Sequence, residues 1–175
     1  MSAQTDRFPL LSRLLHWTMA VLVLAMLFIG IGMVSTTSSS YFRLLSIHKS
    51  IGIIILVLVA IRLINRLLNP PPPLPADLPA WQQLMAKASH LLLYALMFAL
   101  PIVGWAMLSA GGYPIIIFGG LHLPAILPHD AGSFAVLRTA HTLLALLLFA
   151  TFLAHLGAAL FHYLIRRDTV LQSMA

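Results

Sequence analysis

The sequence predicts an all-α fold, an integral membrane four-helix bundle. Three observations predict it: scarce charge, four long apolar runs, and polar or proline-rich stretches between them. Hydrophobic residues make up 61% of the 175 residues and charged residues 8%, with a mean hydropathy of +0.99. A water-soluble domain carries roughly 25% charged residues, because its surface must be solvated. Lipid is therefore the expected solvent for most of this surface. The length suits a few helices with short loops, so residues 1–175 read as a single membrane domain.

The first helix is expected over residues 10–34, with Pro9 suited to its first turn. Its apolar run, Leu14 to Val34, is long enough to cross the hydrocarbon at roughly 1.5 Å per residue. It is also long for the apolar part of a secretory leader, and Ser35 to Ser40 follows it as a polar turn rather than a cleavage site. The second helix is expected over residues 47–68. The linker at 69–80 begins Asn69-Pro70-Pro71-Pro72-Pro73; proline this dense stops a helix and adopts an extended form outside the membrane. The third helix, 84–110, contains Pro101 and Gly104, which membrane helices tolerate and which mark a kink or a close approach. An outer loop at 111–132 carries an apolar patch, Ile115 to Phe118, expected along the membrane interface. The fourth helix, 133–166, exceeds a bilayer width and is expected to project into water.

Charge sets the expected orientation. With the N-terminus inside, the inner group is Arg7, Arg13, Arg62, Arg66, Lys87, Arg166 and Arg167, against Arg43, Lys49 and Arg138 outside. Seven against three satisfies the positive-inside rule and places both termini and the proline linker in the cytoplasm. The net charge of +6 forms no basic run of the kind that tracks a phosphate backbone, so no nucleic-acid partner is expected. The four acids, Asp6, Asp77, Asp130 and Asp168, all lie outside the spans, which argues against a transporter or proton channel. There is no cysteine, which excludes thiol catalysis, cysteine-ligated iron–sulfur clusters and covalently attached haem.

The eight histidines carry the functional signal. A histidine inside a membrane span is costly and usually functional, an interhelical hydrogen bond being the alternative for any single one. His141 and His155 are fourteen residues apart in the fourth helix. That separation leaves them about 40° apart around the axis and roughly 21 Å apart in height. His48 opens the second helix on the outer side and His16 opens the first on the inner side. Depth thus pairs His48 with His141 and His16 with His155. His162, seven residues beyond His155 on the same face, is the rival inner ligand. Zinc needs further ligands, and no acid or cysteine lies in these spans. Haem needs only axial imidazoles and an apolar slot, which suits two separate pairs. One turn after the four proposed ligands stand Ala20, Gly52, Ala145 and Ala159, small enough to leave room for a macrocycle. Arg13 is placed to meet a haem propionate. His90 is expected among lipid headgroups, with a propionate or a quinone as its alternative contacts, and His122 and His129 in solvent.

Leu15-His16-Trp17, Ile47-His48 with Gly52, Arg62, the proline linker, Ser89-His90-Leu91 with Tyr94, Leu100-Pro101-Ile102-Val103-Gly104, and His141, His155, His162 and Asp168 follow one another in an order that resembles the bacterial cytochrome b561 family. Those are small four-helix di-haem cytochromes of the inner membrane. The resemblance runs over essentially the whole chain. It implies two haem b groups on His16, His48, His141 and His155, with ubiquinone as electron acceptor. One member of the family is a superoxide oxidase, so the resemblance also implies oxidation of superoxide at the outer face. Arg43, Lys49 and Arg138 would steer that anion, although they could equally pair with propionates or headgroups. A quinone site near the inner haem would use His162 and Arg13. Related b subunits instead serve as membrane anchor and electron conduit for a partner dehydrogenase or hydrogenase, which is the alternative reading.

Overall fold

A computed structural model describes residues 7–73, 75 and 77–174. Asp6 and, within the linker, Leu74 and Ala76 lie outside the described residues. Helix α1 spans Leu10–Ser35, α2 Ser40–Leu68, α3 Ala80–Ala110 and α4 Ala131–Phe161, with α4 continuing into a π-helical turn, His162–Arg166. All four are long and apolar enough to cross a membrane. Large apolar side chains such as Phe28, Val34, Leu91 and Leu143 point outward, an arrangement that lipid solvates and water does not.

The helix starts follow local chemistry. Helix α1 begins behind Pro9, whose carbonyl accepts the Arg13 N–H. Helix α2 begins at Ser40, well before the expected residue 47, because Ser38 supports the first turn. The Ser38 hydroxyl accepts the Ser40 N–H at 3.2 Å, and its carbonyl accepts the Tyr41 N–H at 3.0 Å. Helix α3 likewise starts one turn early, at Ala80, with the Pro79 carbonyl accepting from Gln82 and Gln83. The Asp130 carboxylate caps α4 by accepting the Ser133 N–H at 2.6 Å. The Ser133 hydroxyl and then this N–H hold the Asp130 carboxyl below its ordinary range.

Helix α1 packs on α2 and α3 on α4, and α2 meets α3 to join the two hairpins. The buried core is Met19 and Val23 of α1, Ile55 and Val59 of α2, Leu96 and Met97 of α3, and Leu148 of α4. Leu148 stands seven residues from both His141 and His155, so this apolar layer separates two levels of histidine. Nearer the chain termini the buried Asn65 amide donates to the Ser12 hydroxyl at 2.6 Å.

The opposite end is closed by a small antiparallel hairpin, β1 (Ile116–Ile117) and β2 (Leu121–His122), with Ile117 facing Leu121. Phe118 and Gly119 turn it with positive φ values of 51° and 76°, as a tight hairpin turn requires. The apolar patch expected along the interface is therefore divided, with Phe118 exposed and its alternate isoleucines turned inward. Ile115 and Ile117 are buried, and the Phe118 N–H donates to the Ser50 hydroxyl of α2 at 2.9 Å. After the π-helical turn, Arg167 adopts the left-handed conformation and the chain returns across the start of α1. There the Phe8 N–H donates to the Ser173 carbonyl at 3.0 Å, and the Trp17 indole to the Met174 carbonyl at 2.8 Å.

Candidate functional site

The histidines gather at two levels. At the hairpin end the rings of His48 (α2) and His141 (α4) lie edge to face with centroids 6.1 Å apart. The Nδ1 atoms of both are buried without a hydrogen-bond partner among the described residues. Gly104 of α3 lies directly behind His141: a Cβ there would come within 3.3 Å of the ring's Cε1. The close approach anticipated for this glycine is thus made by the proposed ligand itself.

At the terminal end His16 (α1) and His155 (α4) face each other with centroids 6.3 Å apart. His90 of α3 joins them, 5.3 Å from His155, so it belongs to this level rather than to the headgroup layer expected for it. Arg62 of α2 donates to His16 Nδ1 at 2.9 Å. Arg13 is half-buried, and its Nε atom has no hydrogen-bond partner among the described residues.

His162 has a different environment. Its Nδ1–H donates to Asp168 at 2.6 Å. The same carboxylate accepts from Arg166 Nε at 3.0 Å, and Arg166 reaches on to Asp77 in the linker at 2.7 Å. Burial raises the Asp168 pKa, but hydrogen bonds from His162, the Val170 N–H and Arg166 outweigh it and hold the carboxyl below its ordinary range. The π-helical turn brings Asp168 back to His162.

The basic residues of the hairpin end are spread more widely. Arg43 is exposed and donates to Ser40 at 3.4 Å. Lys49 is half-buried beside His48. Arg138, one turn before His141, lines a shallow crevice of about 220 Å³ with Thr139, Thr142 and Leu143. His122 and His129 are both exposed, and His129 donates from Nδ1 to the Ala110 carbonyl at the end of α3, 3.0 Å away. Since a carbonyl only accepts, His129 Nδ1 carries the hydrogen.

These residues fit a group ligated by two imidazoles. Ligating nitrogens stand about 2 Å from a metal, so two rings sharing one ion have centroids roughly 6 Å apart. Both pairs have that separation. Helix α4 packs chiefly on α3 rather than on α1 or α2, so the imidazoles span a gap between helices. Nothing crowds the position after His48 either: a Cβ at Gly52 would meet only the Met26 methyl, at 3.8 Å. Among the described residues no three histidines or acids are grouped to hold a bare metal ion, which fits a macrocycle that brings its own equatorial ligands.

Four apolar spanning helices with imidazoles paired at two depths define a class, the helical membrane cytochromes. A family model described as prokaryotic cytochrome b561 matches residues 7–175, and the chain belongs to that family. It is thus a bacterial multi-pass membrane protein that carries electrons on haem b. The chain is 37% identical over 173 residues to cytochrome b561 homolog 2 of Escherichia coli (strain K12), covering 97% of this chain and 91% of the relative. It is 32% identical over 177 residues to cytochrome b561 homolog 1 of the same organism, covering 97% of each. A probable superoxide oxidase CybB from Yersinia pestis is 35% identical over 133 residues, 73% of each chain.

Proposed function

We propose that the chain holds two haem b groups and carries electrons from superoxide outside the cell's inner membrane to ubiquinone. The observation that carries this reading is the pair of matched imidazole separations, 6.1 and 6.3 Å, on either side of an apolar core. His48 and His141 hold the outer haem; His16 and His155 hold the inner one, nearer the termini. The seven-to-three split of basic residues supports an orientation with both termini in the cytoplasm. His155 rather than His162 is the inner ligand, because it is the His155 ring that faces His16, at 6.3 Å.

When bound, each haem would supply a one-electron carrier, and a pair of histidines holding it would favour electron transfer over oxygen binding. The chain's own residues do the rest. The positive charges of Arg43, Lys49 and Arg138 draw a small anion toward the outer level. Two superoxide ions each lose one electron and leave as dioxygen, while the quinone takes up two electrons and two protons. In this reading His162, held by Asp168, donates a hydrogen bond or a proton to a quinone oxygen, with Arg13 as a second contact. The name of the Yersinia relative supports superoxide as donor.

The test is turnover by the purified chain in vesicles containing ubiquinone, with superoxide generated outside. Quinone reduction without any other protein supports the reading. Failure to turn over, with reduction restored by a partner dehydrogenase, assigns the chain to the anchor-and-conduit role instead. Neutralising Arg43, Lys49 and Arg138 together, with an unchanged and salt-independent rate, would remove the steering role.

A further inference from the structure

Arg62 and Arg66 stand four residues apart on α2, so their guanidiniums share one face of the helix. Both lean on one aromatic ring, with each guanidinium carbon 5.8 Å from the Tyr94 centroid. Like charges at this spacing repel, and among the described residues neither arginine meets a carboxylate. Arg62 instead donates to His16 Nδ1. An imidazole that ligates a metal through one nitrogen normally donates a hydrogen bond from the other. Arginine has no acceptor, so Arg62 cannot keep this bond once His16 is a ligand through Nε2.

The surroundings indicate what Arg62 turns to. Arg62, Arg66 and Tyr94 line a cleft with Ser12 and Asn65, closed by Met174 of the returning tail. Its cavity is about 20 Å³, room for roughly one water. A quinone ring does not fit. A single carboxylate group entering beside His16, where Arg62 already reaches, would take up that room and relieve the repulsion between the two guanidiniums.

We propose that Arg62 and Arg66, backed by Tyr94, form the seat for one propionate carboxylate of the inner haem, with Arg62 exchanging His16 for that carboxylate as the haem enters. This rests on the proposed inner haem at His16 and His155. It gives the propionate contact to α2, whereas the sequence places it at Arg13. Arginine suits the role because its planar fork matches a carboxylate and stays charged.

The experiment compares native haem with its dimethyl ester, which lacks both carboxylates, in the full-length chain and in the double variant Arg62→Gln/Arg66→Gln. The readout is the rate of haem loss to an acceptor protein. Wild type should release the ester from the inner site on the order of ten- to a hundredfold faster than native haem, the scale of charge-assisted hydrogen bonds. The double variant should release both forms at nearly the same, faster rate. A lysine pair, Arg62→Lys/Arg66→Lys, should recover part of the discrimination, and an unchanged outer-haem spectrum reports that the bundle is intact. A double variant that discriminates as wild type does overturns the seat. So does Asp6→Asn reproducing the effect, since Asp6 would then be the anion that these arginines hold. His16→Ala separates the two claims: if it keeps as much haem as wild type, the inner-haem reading itself fails.

Discussion

Gly104 gives a sharp test of the outer site because it is not a ligand. A Cβ at this position would lie 3.3 Å from His141 Cε1 and 3.6 Å from Nδ1. With alanine the ring must yield by a few tenths of an ångström, while the helix gains about 1 kcal/mol of intrinsic propensity. Gly104→Ala should therefore leave overall stability nearly unchanged and alter only the outer haem, as a shifted spectrum or potential. Leucine adds carbons beyond the Cβ in the space the ring occupies, and overpacking of this kind costs about 1–3 kcal/mol. A His141 ring displaced from its place opposite His48 no longer shares a metal with it. Gly104→Leu should then lose the outer haem and keep the inner one, giving half the wild-type haem content in a chain that still folds. The assay is haem content per chain together with a thermal midpoint by circular dichroism. A Gly104→Leu protein with full haem content and an unaltered spectrum would refute the argument that α3 sets the His141 ring.

Three further outcomes follow from the terminal end. His162→Ala should leave the haem spectrum intact and slow quinone reduction; loss of a haem would instead make His162 a ligand. Ser12→Ala strands the buried Asn65 amide and should destabilise the chain by about 1–3 kcal/mol, read from a thermal or denaturant midpoint in detergent. Asp168 has a depressed pKa, so its contribution to the returning tail is complete above the ordinary carboxyl value, near 3.9. It fades as pH falls through the lower folded value. Hydrogen exchange over residues 168–174 should accelerate below that pH, and Asp168→Asn should show fast exchange at neutral pH; equal protection in the variant would count against the His162–Asp168–Arg166 network as the anchor.

The parts of this molecule legible in the sequence are those fixed by composition and by helical period. Long apolar runs mark the spans, and fourteen residues of α4 carry His141 and His155 to opposite levels on one face. What the sequence hides is non-local. His90 reads as a residue at a helix end, yet α3 starts a turn earlier and carries its ring to His155. Arg62 reads as the basic close of a span, and only packing sets it against His16. The Ser/Thr stretch before α2 reads as a turn because these residues serve turns and helix starts equally well. The tail crossing α1 depends on a π-helical turn and a left-handed Arg167, a conformation arginine adopts at some cost and does not announce. Gly104 was readable as a close approach, but not which side chain approaches.

The central claim is two haems on two histidine pairs, and haem content per chain by the pyridine haemochrome method tests it most directly, on wild type and on His141→Ala and His16→Ala. The account predicts two b haems per wild-type chain and one in each variant, with the remaining haem spectrally distinct between them. A single haem in wild type, or full content in either variant, would contradict it and return that pair of imidazoles to a role in holding helices together.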